Sequence, residues 1–342
     1  MKLLVSALEP SANLHFGYLL KELEDVEICG IFDRRFGDPL YGMDEFSVMG
    51  IVDVLAKYLK GKEALEEMVS LAGDCDKILL IDAPAFNIPL ARAIKKRFPD
   101  KEIVYYILPK VWAWKRKRAA LVDAYCDRLA SIFPFESGFY ERAEYVGNPL
   151  LDEIEVVRSP DGTQETVAFL PGSRKSEVTR LMPVFKDVAA RLEGVRKLLV
   201  IPPFVQERNI SEWYGDIEGF EIFRDTHKAL AKSHFAYVCS GTATLEAALI
   251  GTPFVLVYKA RPIDYAIGRF FVKLPYVGLA NIIMDFAAEG EVHPEIFQEE
   301  VNAEKLLELY DSLDRENFMA KSLRLHEILK HGSAANVAKM LQ

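Results

Sequence analysis

The stretch Phe235-Ala-Tyr-Val-Cys-Ser-Gly-Thr-Ala-Thr-Leu-Glu246 decides the fold of the C-terminal half. Its first five residues are apolar and predict a buried strand, and its last residues open a helix of small side chains that ends near Gly251. A strand that runs through a Ser/Gly/Thr turn into a helix directs unpaired backbone N–H groups toward the turn, at the positive end of the helix dipole. Such a turn is a binding site for anions such as phosphate.

Glu246 lies four residues after Thr242, so it falls one turn further along the same helix face. A carboxylate there can accept hydrogen bonds from both hydroxyls of a ribose. With phosphate at the helix tip, the pattern predicts a nucleotide site. The alternative is a capped helix with a solvated Glu, and this stretch alone does not decide between them. The predicted phosphate ligands are Ser240, Gly241, Thr242, Ala243 and Thr244.

A second strand–turn–helix precedes this one. Thr166–Leu170 predicts a strand, and Gly172, Ser173 and Arg174 lead into a helix predicted at Ser176–Leu192. Gly172 and Ser173 offer backbone donors, and the guanidinium of Arg174 suits phosphate oxygens. It could stabilise the charge on a leaving diphosphate. The alternative is a helix start whose exposed Arg forms a surface ion pair.

Short apolar runs and segments of helical spacing alternate along the N-terminal half as well. The predicted strands there are Lys2–Ala7, Val26–Phe32, Lys77–Asp82, Glu102–Ile107, Arg128–Ile132 and Tyr145–Gly147. A polar stretch at 148–166 predicts a linker, after which the pattern restarts. The alternation implies βαβ units and parallel sheets. The predicted fold class is therefore α/β, with two Rossmann-like domains of similar size on either side of a ligand-binding cleft.

Composition excludes several classes of function. The 342 residues are 50% hydrophobic and 27% charged, as in globular proteins. The net charge of −9 argues against nucleic acid as the main partner. The four cysteines share no metal-like spacing, so neither a metal nor a cofactor is predicted. No signal peptide or membrane-spanning run is apparent, which predicts a cytosolic protein without excluding contact with a membrane surface.

Asp82 ends the predicted strand Ile78–Ile81, and Ala83-Pro84 follow it. A carboxylate at a strand end, beside a substrate hydroxyl, can act as a general base. The alternative is that Asp82 caps the helix after Pro84, and the local sequence by itself favours the cap because caps are far commoner than bases.

Three further segments combine large apolar side chains with cations. Trp112 and Trp114 precede the run Lys115–Arg118, which suits sugar stacking or an interface with anionic lipid. Residues 46–60 and 265–276 have the composition of helices in a membrane interface. Each segment also has an ordinary structural alternative. The tryptophan segment could be a solvated helix start with one core Trp, and each of the other two could be a core-packed amphipathic helix. The six histidines do not cluster, and only His15, just past the first strand–turn, is a weak candidate for a catalytic role, with a structural role favoured even there.

Seven motifs occur in one order between about residue 5 and about residue 285. They are Val48–Leu55, Ile81–Pro84 with Phe86-Asn87, Val111–Trp114, Phe133–Glu136, Val146–Pro149, Leu170–Arg174 with Glu177-Val178, and Ser240–Ala247. Together they resemble the lipid-A-disaccharide synthases, inverting glycosyltransferases of the GT-B type. This resemblance implies transfer of 2,3-diacylglucosamine from its UDP derivative to the 6-hydroxyl of 2,3-diacylglucosamine 1-phosphate (lipid X). The products are the β(1→6) disaccharide 1-phosphate and UDP.

The resemblance also implies roles for individual residues. Asp82 becomes the general base, Arg174 a diphosphate ligand and Glu246 a ribose ligand. It further implies substrate contacts at Glu9, Ser11, Asn87, Trp112 and Asn281.

The implied domains are 1–160 for the acceptor and 161–317 for the UDP-sugar, with the C-terminal helices from about 318 to 342 completing the first. Acylated substrates imply peripheral contact with the cytoplasmic face of the inner membrane of a Gram-negative bacterium through 46–60 and 265–276. A homodimer is compatible with the sequence.

Two other functions remain open at this stage. A UDP-sugar 2-epimerase of the same fold would need acid/base groups placed at C2 of the donor sugar, and no such His/Glu set is apparent in the donor-side motifs. A non-catalytic UDP-lipid binding protein would tolerate loss of Asp82.

The chain also departs from the family pattern. The family turn Gly-Glu-Ala-Ser-Gly-Asp is here Leu8–Asn13, an Asp usual after Asp82-Ala-Pro is Ala85, and Ser-Leu-Pro-Asn is here Gly278–Asn281. These changes concern the expected acceptor contacts more than the expected UDP contacts.

Overall fold

The computed structural model describes residues 1–47, 54–156, 158–160, 162, 164–261 and 274–342. The chain divides into two compact units: Met1–Glu153 with Leu329–Gln342, and Ile154–Ile328. The first unit thus ends at Glu153, before the predicted boundary at 160.

Unit 1 contains a parallel sheet of seven strands in the order β3-β2-β1-β4-β5-β6-β7. The strands are β1 Lys2–Ser6, β2 Glu27–Phe32, β3 Tyr41–Gly42, β4 Lys77–Ile81, β5 Glu102–Tyr106, β6 Arg128–Ser131 and β7 Ala143–Tyr145. The described helices are α1 Pro10–Lys21, α2 Asp44–Ser47, α3 Val54–Leu71, α4 Pro84–Arg97, α5 Arg118–Tyr125, α6 Pro149–Glu153 and, from the C-terminus, α14 Ser333–Leu341. The central strands are apolar on both faces because helices cover both, as parallel sheets require.

Unit 2 contains a parallel sheet of six strands in the order β10-β9-β8-β11-β12-β13. The strands are β8 Thr166–Leu170, β9 Arg196–Val200, β10 Glu221–Phe223, β11 Phe235–Cys239, β12 Phe254–Tyr258 and β13 Glu295–Phe297. The described helices are α7 Lys175–Arg191, α8 Glu207–Tyr214, α9 Thr226–Lys232, α10 Thr242–Ile250, α11 Leu279–Phe286, α12 Ala303–Ser312 and α13 Arg315–Ile328.

In each sheet, the first strands are added side by side toward one edge, and the later strands are added toward the other edge. In unit 1 this reversal lies between β1 and β4, and in unit 2 it lies between β8 and β11. At such a switch point the helices that follow the two strands lie on opposite faces of the sheet and leave a crevice at the carboxyl ends, where ligands of α/β proteins bind. Asp82 follows β4 directly, and the Ser240 turn follows β11 directly.

Two sequence predictions about these elements are wrong. Residues 318–328 do not complete unit 1, because α13 packs in unit 2, where the Ser322 hydroxyl donates to the Ala248 carbonyl over 2.6 Å and Phe318 meets the Phe254 ring. The predicted turn at residues 9–13 is already helical from Pro10, since proline suits the first position of a helix.

Candidate active site

Asp82 and Ala83 lie in the left-handed region of backbone conformation, with φ angles of 49° and 42°. This region is unfavourable for residues other than glycine, so the surroundings must hold the pair in place. The Asp82 amide donates to the Tyr106 carbonyl over 3.0 Å. The Asp82 carbonyl accepts from the Tyr105 hydroxyl over 2.6 Å and from Asn87 Nδ2 over 2.8 Å. Strain that is held this firmly at a switch point is typical of a functional residue.

The competing interpretation of Asp82 as a helix cap is wrong. The N-cap of α4 is Ala83, and no side chain caps the helix. The half-buried Asp82 carboxylate therefore does not cap α4. Burial raises its pKa, while Lys110, the Ala83 N–H and His15 act in the opposite direction. A carboxylate with a raised pKa is a stronger base for a substrate proton than an ordinary Asp.

Asn87 supports this loop from below and does not contact solvent. It is fully buried, and besides donating to Asp82 it donates to the Ile81 carbonyl over 3.2 Å. Its Oδ1 accepts from the Ser6 hydroxyl over 2.6 Å, which ties the ends of β4 and β1 together. The predicted substrate contact of Asn87 is therefore corrected to a positioning role.

The end of β1 contributes exposed polar groups at the same sheet edge. Glu9 precedes the first turn of α1 and Ser11 lies within it, and both are exposed. His15, one turn later, pairs through Nδ1 with the carboxylate of Glu153, a side chain only 2% exposed. The structure therefore brings Glu9, Ser11 and His15 to the edge where Asp82 lies, and it reveals Glu153 as a partner that the sequence did not indicate.

In unit 2, Gly172 makes the turn between β8 and α7. Its φ of 105° is left-handed, and a Cβ there would lie 2.7 Å from Oε2 of Glu177. Only glycine fits, and the close approach lets Glu177 reach back to the start of its helix. Glu177 Oε2 accepts from the Arg174 N–H over 3.3 Å, and Oε1 accepts from Arg174 Nη1 over 3.0 Å.

The Arg174 side chain is anchored by its ion pair with Glu177 and remains accessible to solvent. Its side chain is 78% exposed, whereas that of Glu177 is 10% exposed. The ion pair thus orients the guanidinium without using all five of its N–H donors. Ser173 beside it is also exposed. This arrangement leaves donors for an anion, and Glu177 is a positioning residue to which the sequence analysis gave no role.

The second turn begins α10 on the neighbouring strand, since Leu170 of β8 and Val238 of β11 are in register. Gly241 and Thr242 are exposed, Ser240 and Ala243 are half-buried, and no side chain caps the helix. Thr244 differs: it is fully buried, and its hydroxyl donates to the Gly241 carbonyl over 2.8 Å. Its predicted ligand role is corrected to shaping the turn.

Glu246 is one turn further into α10, as predicted, and has a neighbour that the sequence did not reveal. Nε2 of His227, at the start of α9, lies 3.5 Å from Glu246 Oε2. Both side chains are largely buried, at 24% and 16% exposure. The fold thus joins two residues from different helices that the donor-side motifs do not bring together.

Comparison with known proteins shows which family the chain belongs to. A family model described as lipid-A-disaccharide synthetase matches residues 3–339. The chain belongs to the lipid-A-disaccharide synthase family. It is 48% identical to the lipid-A-disaccharide synthase of Helicobacter pylori strain G27, over 98% of this chain and 96% of that one. It is 46% identical to that of Campylobacter jejuni strain RM1221, over 99% and 98%. This lipid-A-disaccharide synthase homologue is thus a glycosyltransferase of lipid A biosynthesis.

Solved structures confirm the predicted GT-B fold. MurG of Acinetobacter baumannii superposes with a TM-score of 0.61 at 14% identity, covering 100% of this chain and 98% of that one. The UDP-GlcNAc 2-epimerase of Neisseria meningitidis gives 0.61 at 11% identity, covering 100% and 99%. At these identities the likeness concerns the fold, and the family assignment separates the synthase from the epimerase.

The structure accounts for one departure from the synthase family pattern. Asn13 stands where the family has Asp, and its Nδ2 donates to the carbonyls of Ala7 and Glu9 over 2.7 and 2.9 Å. Its Oδ1 accepts from the Asp33 amide over 2.7 Å. A carboxylate could not donate these two hydrogen bonds, so the Asn13 amide stabilises the altered turn of this synthase homologue. Ala85, the other acceptor-side departure, is exposed.

Asn281 is a structural residue in this synthase homologue. It is fully buried, and its Nδ2 donates to the His293 carbonyl and to Glu295, each over 2.9 Å. Its Oδ1 accepts from the amides of Val292 and His293. With its amide committed to the loop before β13, the predicted substrate contact is corrected to loop support.

Trp112 is also corrected from a substrate contact to a buried support. It is 6% exposed, and its Nε1 donates to Oε1 of Glu136 over 3.1 Å. Glu136 is fully buried and accepts from the Ser131 hydroxyl over 2.7 Å. Burial raises the pKa of Glu136 to about 7. The carboxyl thus links β6 to the loop that carries Trp112.

Replacing Glu136 with Gln should flatten the pH dependence of the synthase homologue's stability. The folded state holds the Glu136 proton more tightly than the unfolded chain, so wild-type stability should fall as pH rises from 4.5 through about 7. Over this pH range the wild type should lose about 3 kcal/mol of unfolding free energy that the Glu136→Gln variant does not lose. Urea unfolding across this range measures it. The exposed Glu141→Gln should keep the wild-type slope, and equal slopes for all three proteins would contradict the prediction.

Two predicted features fall largely outside the description of this synthase homologue. The segments 46–60 and 265–276 lie mostly outside the residues whose side chains are described. Within the described ranges, no helix is long and apolar enough to cross a bilayer. Those ranges also hold no group of three His, Cys, Asp or Glu side chains suited to a metal ion.

Proposed function

We propose that this chain transfers 2,3-diacylglucosamine from UDP-2,3-diacylglucosamine to the 6-hydroxyl of 2,3-diacylglucosamine 1-phosphate, with inversion. Unit 1 binds the acceptor lipid and unit 2 binds the UDP-sugar. The observation that carries the proposal is the Asp82 carboxylate, which is held at the switch point of unit 1 by a strained backbone and is not used as a cap.

The proposed chemistry needs one base and a stabilised leaving group. Asp82 accepts the proton of the acceptor 6-hydroxyl as its oxygen forms the bond to C1 of the donor. The bond from C1 to the β-phosphate oxygen breaks, and UDP leaves with the electron pair. Arg174 and the N–H groups at the start of α10 stabilise the negative charge that develops there. Glu9 and Ser11 contact the acceptor from the first turn of α1.

The donor site is proposed from the two turns of unit 2. The Neisseria meningitidis epimerase of the same fold contains UDP-GlcNAc, and a Staphylococcus aureus MnaA structure contains UDP. The Gly172 turn and the Ser240 turn would bind the diphosphate of the donor, and Glu246 would accept hydrogen bonds from its ribose. His227 beside Glu246 would fix the rotamer of the carboxylate.

Replacing Glu246 with Gln should raise the KM for the UDP-sugar about tenfold and change kcat little, because hydrogen bonds to a charged group are worth about 1.5 to 3 kcal/mol. Steady-state kinetics with saturating acceptor measure this. His227→Gln should raise the same KM by a smaller factor. The exposed Glu207→Gln on α8 is the control, and an unchanged donor KM in the Glu246 variant would refute the ribose contact.

The first test of the whole proposal is UDP release from UDP-2,3-diacylglucosamine with and without the acceptor, followed by mass analysis of the product. Acceptor-dependent release with a tetraacyl disaccharide phosphate supports the synthase. Release that ignores the acceptor would favour epimerase-like or hydrolytic chemistry, for which His227 and Glu246 offer an acid/base pair. Binding of UDP without release would favour a binding protein.

The location and assembly of the protein belong to the same proposal. Acylated substrates place it on the cytoplasmic face of the inner membrane, in contact through 46–60 and 265–276. Flotation with vesicles made from inner-membrane lipids tests this. A homodimer is the assembly proposed, and sedimentation measures it.

A further inference from the structure

Five cations follow β5 in a loop of unit 1, which we call the cationic loop (residues 110–118). They are Lys110, Lys115, Arg116, Lys117 and Arg118. The first four are exposed and the fifth is half-buried. None of the five forms an ion pair or a side-chain hydrogen bond with another residue of the described ranges. In a chain of net charge −9, this group of cations forms a local positive patch that attracts anions.

Two of these cations lie near the ring of Trp114. Nζ of Lys115 lies 4.1 Å from the ring centroid of Trp114, and the guanidinium carbon of Arg118 lies 5.8 Å from it. The ring is 46% exposed, so the two charges stand at the surface on one aromatic platform. Like charges gathered at one side chain repel each other, and a bound anion would relieve this repulsion.

The cationic loop is well anchored beneath this platform. The Lys110 carbonyl accepts from the amides of Ala113 and Trp114 over 3.0 and 3.3 Å, and the Lys115 carbonyl accepts from the Arg118 amide over 2.9 Å. Buried Trp112 fixes the loop through its bond to Glu136. A loop held in this way presents its cations without a large entropic cost on binding.

The loop also starts at the proposed active site. Lys110 acts electrostatically on Asp82, which lies after β4, the strand that neighbours β5. An acceptor whose 6-hydroxyl meets Asp82 carries its phosphate on C1, which lies across the ring oxygen from the carbon that bears C6. Lys115 and Arg118 follow Lys110 in the same loop, so the loop that begins beside Asp82 also carries the two cations on the Trp114 ring.

We propose that Lys115 and Arg118, held on the Trp114 ring, bind the phosphate of the acceptor lipid. This inference rests on the proposed function, because it takes the acceptor to be a phosphorylated glucosamine lipid. The ligand chemistry is a phosphomonoester, whose two negative charges suit an ammonium and a guanidinium together. The site gives the enzyme a preference for phosphorylated over unphosphorylated acceptors.

The test compares 2,3-diacylglucosamine 1-phosphate with the same lipid lacking the phosphate, both in nonionic detergent micelles. The proteins are the wild type, the double variant Lys115→Gln/Arg118→Gln, and the control Lys96→Gln, which removes an exposed cation of α4. The double variant should raise the KM for the phosphorylated acceptor at least tenfold. Its KM for the unphosphorylated acceptor and for the donor should stay as in the wild type, and Lys96→Gln should change none of them.

An equal effect on both acceptors, or no effect on either, would overturn the proposal. Loss of binding to phosphatidylglycerol vesicles with an unchanged micellar KM would also overturn it, since the loop would then recognise bulk phospholipid headgroups. If the wild type makes no disaccharide from either acceptor, the proposed function fails instead. Direct titration of the two lipids against wild type and double variant then still decides whether the loop binds the phosphate.

Discussion

Replacing Asp82 with Asn should lower kcat by between about a hundredfold and ten-thousandfold, with the KM values for donor and acceptor changed little. The amide keeps the shape of the carboxylate but cannot accept the proton of the 6-hydroxyl. Asn is also the substitution that the backbone tolerates best, because Asn adopts left-handed conformations such as the φ of 49° at this position more readily than most residues. Steady-state UDP release at saturating substrates measures the loss.

The pH profile of the wild type tests the same assignment independently. Because burial raises the pKa of Asp82, the acid limb of kcat/KM should lie above the ordinary value of 3.8, and activity should fall as pH drops through it. Lys110→Gln should move the limb further up, since Lys110 favours the charged carboxylate. The exposed Asp100→Asn is the control. An Asp82→Asn variant with near wild-type turnover would assign the base to another residue.

Replacing Arg174 with Met should lower kcat by about a hundredfold, because the guanidinium stabilises charge that develops on the departing diphosphate. The side chain is open to a ligand, and Glu177 holds it in place from the buried side. The loss should exceed that of Glu177→Gln, which leaves the guanidinium present but poorly oriented. Single-turnover measurements with bound donor separate this effect from weakened binding.

Arg208→Met provides the control, as Arg208 is an exposed cation on α8 of the same unit. It should leave kcat unchanged. If Arg174→Met changed only the donor KM, Arg174 would bind the ground state and would not contribute to the transition state.

The fold was largely predictable because both sheets are parallel and buried. Strands such as Thr166–Leu170 and Phe235–Cys239 are continuous apolar runs bounded by turns, and the structure places them at the predicted residues. The short edge strands Tyr41–Gly42 and Glu295–Phe297 were not predicted. They contain too few apolar residues for a pattern, and their pairing depends on the neighbouring strand.

The candidate site was predictable only in part, for a physical reason. Residues that follow a strand directly, such as Asp82 and Gly241, are placed by the sheet. Glu153 meets His15, and His227 meets Glu246, through the packing of separate helices. No spacing along the chain encodes such contacts. Asn87, Trp112 and Asn281 appeared as polar or aromatic members of motifs, and only burial and bonding reveal that they support loops.

The left-handed pair Asp82-Ala83 has a consequence for how this enzyme can vary. The hydroxyl of Tyr105 and the amide of Asn87 hold a backbone that would relax without them, although both side chains are fully buried. On the proposed mechanism, selection for catalysis therefore extends from the surface of unit 1 into its interior. A substitution such as Tyr105→Phe, harmless by volume and hydrophobicity, would free the base to leave its working position. Tolerance to mutation in this core is thus set by chemistry as well as by packing.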